Sequence, residues 1–353
     1  WSTDAMTTLP AQPADLTTDW LSEALGTEVT GVDVLEHAFA TNQRARIALT
    51  YANPGAGPDT LFVKLAPVDE AHRQMVGATG MGVREAQFYA DVAGSIDLLV
   101  PKCAFAGADD DLFVLLLEDV SKRGCRFSDG QWGIGVESAM GALEDLARFH
   151  ARFESDAERD SLAPWLRTAT RKPGSEGTAA LMRHVLAERG DSLPPAYVEL
   201  GELYAQHHAW FDEIWHAGPQ TLIHGDTHIG NVFLDGARVG FHDWGLSRVS
   251  THLRDVSYFM TMSVEIEARR ANERELLRTY LDALAAAGGV TISMDDAWLA
   301  HRLQASYTVV ATFLAYMPTY MSSDGVALGD DLLARANAAI VDLDVVAAVR
   351  AAL

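Results

Sequence analysis

Between His224 and Asp243 stand three side chains whose types and spacing suit phosphoryl transfer. Asp226 follows His224-Gly225, Asn231 comes five residues later, and Asp243 comes twelve residues after Asn231 at the head of Asp243-Trp244-Gly245. That chemistry needs one carboxylate at the acceptor hydroxyl, plus an amide and a second carboxylate to hold Mg²⁺ against nucleotide phosphates. Asp226 suits the first task. Asn231, on the same loop, can turn back toward a metal while Asp226 faces the acceptor. Val232-Phe233-Leu234 and Val239-Gly240-Phe241 flank the turn Asp235-Gly236, so a hairpin is expected to return Asp243 to the side of Asn231.

The spacing matches the H-x-D-x-x-x-x-N and D-x-G parts of the kinase signature set. Asp, Asn and Gly are also common in turns for backbone reasons, so an isolated match would be weak. Its weight comes from four further pieces in kinase order. Lys64 interrupts Leu61-Phe62-Val63-Lys64-Leu65, an apolar strand in a chain with only four lysines. A lysine there is costly unless its ammonium meets an anion, such as nucleotide phosphates; the plainer alternative is an edge-strand lysine snorkelling to solvent. Glu85, on an expected helix through Arg84–Ala90, stands where a glutamate would hold that lysine toward phosphate, although a solvated helix charge is the commoner fate of a glutamate. Leu112–Leu117 reads as a buried strand stopping at Glu118-Asp119-Val120-Ser121, where backbone groups near Glu118 and Val120 would meet adenine. Asp255, in Arg254-Asp255-Val256, is expected to cap a helix or brace the catalytic loop.

These residues resemble the aminoglycoside phosphotransferase and choline kinase-like superfamily, most nearly its branch of ecdysteroid kinase-like proteins and bacterial small-molecule phosphotransferases. The likeness rests on Leu115–Ser121, Leu146–Ala151, His224–Asn231, Asp243-Trp244 and Arg254-Asp255. It implies a two-lobed α+β protein-kinase-like fold, with an antiparallel sheet and helix in the first lobe and a mostly helical second lobe. Residues 1–117 would form the first lobe, 118–122 the hinge and 123–353 the second. The resemblance further implies ATP, or GTP, and Mg²⁺ as cofactors, with a hydroxylated small molecule as acceptor. Asp226 would be the catalytic base, Asn231 and Asp243 the Mg²⁺ ligands, and Lys64 the phosphate contact positioned by Glu85. His224 would fix the loop. The chain departs from the pattern at Ala38–Arg44, which should cover the phosphates but contains no glycine; Thr41 and Asn42 are expected to substitute with side-chain hydrogen bonds. That departure keeps open a second reading, a nucleotide-binding kinase-like module without turnover. No A-P-E segment follows Trp244, which disfavours a protein substrate.

At 353 residues the chain is long enough for two lobes, and its net charge of −22 argues against nucleic acid, whose recognition needs a basic footprint. No apolar run reaches membrane-spanning length and no signal pattern opens the chain, so a cytoplasmic protein is expected. Trp1–Ala5, ahead of Met6, read as an added tail. Cys103 and Cys125 have no metal-ligand spacing and read as free thiols.

The elements needed to position these groups are legible as well. A helix ending at Gly26 precedes strands near Glu28–Leu35, Arg44–Ala52 and Leu61–Ala66, then the Glu85 helix and strands near Lys102–Ala106 and Asp111–Leu117. Helices are expected over Val136–Phe153, Ala179–Glu188, Tyr197–His216, His252–Ala286, Asp295–Met317 and Asp330–Ala352. The acceptor is the open question. Ser306–Met317 with Tyr320 and Met321 could wall an apolar alcohol, though such a stripe is more often core. Glu265, Glu267, Asp324, Asp330 and Asp331 could surround an aminoglycoside or another amine, though most such residues are solvated surface. His228 could face the acceptor or pack beneath it.

Overall fold

The computed structural model describes residues 8–39, 41–128, 130–167, 176–313 and 323–353. Strands β1 (Val29–Phe39), β2 (Gln43–Tyr51), β3 (Thr60–Leu65), β4 (Cys103–Asp109) and β5 (Leu112–Glu118) form an antiparallel sheet in the order β1-β2-β3-β5-β4. The two-residue period of a strand divides β2 cleanly. Ala45, Ile47, Leu49 and Tyr51 pack with Leu16, Trp20 and Leu21 beside the helix Thr18–Leu25, whereas Arg44 and Arg46 take the other face. That helix stops at Gly26, whose φ of 65° suits a residue without Cβ.

Lys64 lies on β3, between β2 and β5, so it has no sheet edge from which to reach water. The helix Met81–Gln87 lies against the sheet's cleft side and carries Glu85 into the core.

The rest of the chain is mostly helical around two small sheets: β6 (Arg126–Phe127) with β8 (Val232–Asp235) and β9 (Arg238–Phe241), and β7 (Gln220–Ile223) with β10 (Arg248–Thr251). Phe88, Phe113, Leu115 and Leu117 share one buried cluster with Phe149, Phe241 and Trp244, so the sheet's lower face and the helical body have a common core. Trp244 stacks on Phe88 at 3.8 Å between ring centres and 6° between planes. Trp244 thereby docks the turn that follows the Glu85 helix onto the connection between β9 and β10.

Helix Val136–Phe153 forms as expected, but four expected helices are interrupted, Tyr197–His216 by a kink at His207 with φ −122°. The segment His252–Ala286 forms two helices, His252–Met262 and Ile266–Ala286. Between them, Ser263 O accepts from Ile134 N at 2.8 Å and Glu265 N donates to Ile134 O at 3.0 Å, so these groups bond across the body instead of continuing the helix. The C-terminal segment breaks between Ser323–Asp342 and Val345–Ala352, at Asp344 with φ 47°. Of Asp295–Met317, Met294–Gln304 and Thr308–Phe313 are helical, with a 3₁₀ turn at Ala305–Tyr307 between them, while Leu314–Met317 lie outside the described residues. No helix among the described residues is long and apolar enough to cross a membrane.

Candidate active site

The β2/β3 register puts Arg44 directly opposite Lys64 on the same face. Two cations so placed repel each other unless anions face them. Here Glu85 Oε2 lies 2.5 Å from Lys64 Nζ, and Asp243 Oδ1 lies 3.2 Å from it. Arg44 Nη2 approaches the other Asp243 oxygen at 3.6 Å. Lys64 is only 4% exposed. Burial acts to discharge its ammonium, but Asp243 and Glu85 outweigh that effect and raise its pKa. Burial pushes the Glu85 carboxyl up, to about 7, against the pull of Lys64. Asp243 is held ionised well below the usual carboxylate range because Lys64 and Arg44 outweigh its own burial.

Asp243 reaches this position through a left-handed backbone, φ 64° and ψ 65°, directly after β9. The β8/β9 hairpin turns at Gly236 with φ 61°, and His242 N donates to Asn231 O at 3.0 Å. The hairpin therefore brings Asp243 back to the loop bearing Asn231, as the spacing of the sequence requires. Asn231 Nδ2 donates to the Asp226 carboxylate at 2.9 Å and to the Asp226 carbonyl at 3.0 Å.

Buried groups beneath this loop fix its backbone. Both Asp255 oxygens accept from it, Oδ2 from His224 N at 2.6 Å and Oδ1 from Gly225 N at 2.7 Å. Thr227 Oγ1 donates to the Asp255 carbonyl at 2.9 Å, and Ser263 Oγ donates to Thr227 O at 2.8 Å. Asp255 thus braces the loop from His224 to Asn231. His224 Nε2 lies 2.9 Å from the His242 carbonyl, and its Nδ1 accepts from Asp226 N at 3.2 Å; both contacts suit a neutral ring protonated on Nε2. Burial lowers the pKa of His224, consistent with that form. Gly225 has φ 85°, and a Cβ there would lie 2.5 Å from Leu246 O, so this position requires glycine on both counts.

A cleft of about 200 Å³ opens beside Lys64 and Asp243, lined by Phe62, Leu117, Phe127 and His242 and by Glu118 and Val120 from the strand's end. Thr41 and Asn42 do not line it: Thr41 is exposed and Asn42 is buried. Arg44 and Arg46 do line it. Sequence reasoning missed both, since only the strand register reveals that they share the face of Lys64.

Beside Asp226, His228 Nε2 lies 3.6 Å from Asp226 Oδ2, and His228 Nδ1 accepts from Gly230 N at 3.0 Å. Burial opposes a charged His228 ring, but the Asp226 carboxylate prevails and raises its pKa. Of the stripe beginning at Ser306, the residues Ser306, Thr308, Val309, Thr312 and Phe313 are core. Tyr316, Met317, Tyr320, Met321 and the side chain of Asp324 lie outside the described residues. Glu265, Glu267 and Asp330 are exposed, Glu267 pairs with Arg270 at 2.6 Å, and Asp331 pairs with Arg335 at 2.6 Å. None of these acidic residues lines the cleft beside Lys64 or the cavities at Ala86–Asp91 and at Arg270–Arg274.

An antiparallel five-stranded sheet above a mostly helical body, with a lysine–glutamate pair facing a loop rich in carboxylate and amide groups, defines the kinase-like fold class. The chain belongs to the phosphotransferase enzyme family, whose model matches residues 49–301. Among solved structures it is similar to a Ralstonia eutropha protein provisionally assigned as an aminoglycoside phosphotransferase, with 16% identity, 93% of this chain and 97% of that one covered, and a TM-score of 0.51. It is also similar to the choline kinase of Cryptosporidium parvum, at 9% identity, 89% and 91% coverage and a TM-score of 0.51. At these identities the likeness establishes the fold. Comparison with curated proteins found no match.

Proposed function

We propose that the protein transfers the γ-phosphoryl group of ATP, or of GTP, to a hydroxyl of a small molecule. The observation that carries this reading is the buried Lys64, held between Glu85 and Asp243 at one wall of the cleft, facing the loop on which Asn231 is hydrogen-bonded to Asp226.

The donor set suits Mg²⁺. Asn231 spends its N–H on Asp226, which leaves its side-chain oxygen as a hard donor, and Asp243 is kept ionised. Asn231 and Asp243 would hold the ion. When bound, it neutralises charge on the phosphate oxygens. Lys64 and Arg44 would take the phosphates as partners in place of Asp243, which frees that carboxylate. Glu85 keeps Lys64 from following the phosphates out of position. Asp226, oriented by Asn231, would accept the proton of the acceptor hydroxyl as its oxygen bonds to phosphorus. His224 and Asp255 would hold the loop in register for that step. The −22 charge and the absence of an A-P-E segment support a small-molecule acceptor over nucleic acid or protein.

The test is phosphorus NMR or mass detection of product, with wild type and Asp226→Ala given MgATP or MgGTP and a mixed library of alcohols, sterols, amino sugars and hydroxy acids. Product formed by wild type alone supports the reading. Nucleotide binding with no product from any acceptor class would move the protein to the alternative, a nucleotide-binding module without turnover.

A further inference from the structure

Asp243 stands in a left-handed backbone, φ 64°, which a residue bearing a Cβ holds only where its surroundings fix it. Upstream the anchor is His242 N, which donates to Asn231 O at 3.0 Å. Downstream, Trp244 stacks on Phe88 at 3.8 Å between ring centres. Gly245 packs so closely on Met81 that a Cβ there would lie 3.2 Å from both the Met81 Cβ and the Met81 carbonyl oxygen. Arg84 supplies the polar part of this second anchor. Its Nε donates to Gly245 O at 3.0 Å and its Nη2 to Thr79 O at 2.8 Å. A guanidinium can grip two carbonyls at once because its N–H groups lie in one rigid plane. The half-buried Arg84 thereby ties the residue two beyond Asp243 to the start of the helix Met81–Gln87.

On that helix Arg84 immediately precedes Glu85. The two carboxylates that face Lys64, Glu85 at 2.5 Å and Asp243 at 3.2 Å, are therefore carried on segments fastened to each other. The fastening matters most once nucleotide is bound. Without it, Lys64 and Arg44 hold the Asp243 carboxylate by ion pairing. When both cations turn to phosphates those pairs no longer fix the carboxylate, and its place rests on the backbone anchors at His242 and Gly245.

We propose that Arg84 is a positioning residue: by holding the Gly245 carbonyl it keeps the Asp243 carboxylate, relative to Lys64 and Asn231, where a phosphate-bound Mg²⁺ needs it. This rests on the phosphotransferase reading for the metal role of Asp243. The placement of the donor carries the effect, rather than the charge of the side chain. A glutamine amide nitrogen stands the same number of bonds from Cα as the arginine Nε, so it can donate to Gly245 O in its place while giving up Thr79. A lysine has a carbon at that point and its ammonium one bond further out, so it keeps the charge and loses the donor.

The probe is a fluorescent ADP analogue, titrated into the full chain once with Mg²⁺ and once with EDTA, and the readout is the ratio of the two affinities. Wild type is expected to bind more tightly with Mg²⁺. Arg84→Met is expected to lose about tenfold in affinity with Mg²⁺, the lower worth of a hydrogen bond from a charged group, and less than about threefold with EDTA. Arg84→Gln is expected to restore the wild-type ratio, and Arg84→Lys to behave as Arg84→Met does. An unchanged ratio in Arg84→Met, with only its melting temperature lowered, would make Arg84 a strut of the helix and overturn the proposal. Equal losses in Arg84→Met and Arg84→Gln would overturn it as well. Should Arg84→Met not fold, Arg84→Lys against Arg84→Gln decides: a lower ratio in the lysine variant supports the proposal, and equal ratios overturn it. Wild-type affinity that ignores Mg²⁺ overturns it whatever the product assay shows. The product assay stands apart. Arg84-dependent Mg²⁺ coupling without product from any acceptor would fail only the reaction, whereas product from wild type with Mg²⁺ coupling indifferent to Arg84 would fail only the positioning role.

Discussion

Removing the Asp255 carboxylate tests how the loop from His224 to Asn231 is held. Asp255 is fully buried, and its two oxygens accept backbone N–H groups from His224 and Gly225 at 2.6 and 2.7 Å. His150 Nε2 adds a longer contact to Oδ2, at 3.4 Å. Asp255→Ala strands two buried donors, each costing about 1–3 kcal/mol, so the expected loss is about 2–6 kcal/mol. Asp255→Asn keeps one acceptor oxygen and is expected to lose about half as much. Against a typical total of about 5–15 kcal/mol, the alanine variant should be folded but marginal. Urea unfolding followed by tryptophan fluorescence gives both differences. The pH dependence supplies a second check. Burial raises the carboxyl, but the contact with His150 and the Gly225 N–H prevail, so the folded pKa lies below the ordinary value. The contribution is then complete above the unfolded pKa, about 3.9, and is lost only as pH falls through the folded value. The gap between wild type and Asp255→Ala should stay constant from pH 5 to 8. A loss under about 1 kcal/mol, less than a single orphaned donor costs, would refute the bracing argument.

Asp226→Ala is expected to lower phosphoryl transfer by about 10²–10⁴-fold, the usual worth of a general base, while a fluorescent-nucleotide titration shows MgATP affinity unchanged; an undiminished rate removes Asp226 as base. Lys64→Met leaves the buried Glu85 without its cation and should cost about 3–5 kcal/mol in urea unfolding, with part recovered in Lys64→Met/Glu85→Gln; no recovery would show that the pair is not the source of the loss. Gly225→Ala should lose at least about 1–2 kcal/mol from the left-handed backbone alone, with transfer falling as Leu246 is pushed aside, and a fully active, fully stable variant would contradict the geometry.

Much of the catalytic loop was legible because its logic is local. A turn at Asp235-Gly236 between two apolar runs implies a hairpin, and a hairpin of that length returns Asp243 to Asn231 wherever the rest of the chain lies. Lys64 was legible because a lysine in an apolar strand demands an anion. The helix interruptions were not, since Ser263 and Glu265 leave the helix to bond with Ile134, more than a hundred residues away.

The glycine-free segment before β2 shows how a departure in sequence can be offset by register. A glycine-rich loop brings backbone N–H groups close to phosphates. Here the backbone is anchored differently, with Gln43 Nε2 donating to Ala11 O at 2.7 Å and to Ala66 O at 2.5 Å. Asn42 is buried beside it, so the substitute contacts expected of Thr41 and Asn42 do not reach the cleft. The cleft is reached by Arg44, one strand residue later and on the face of Lys64. Two cations opposed across a strand pair are a standing repulsion that Glu85, at 2.5 Å from Lys64, and Asp243, with one oxygen at 3.2 Å from Lys64 and the other at 3.6 Å from Arg44, answer only in part. A polyphosphate answers it more fully, and a guanidinium supplies the in-plane donors that the missing glycines would have left to the backbone.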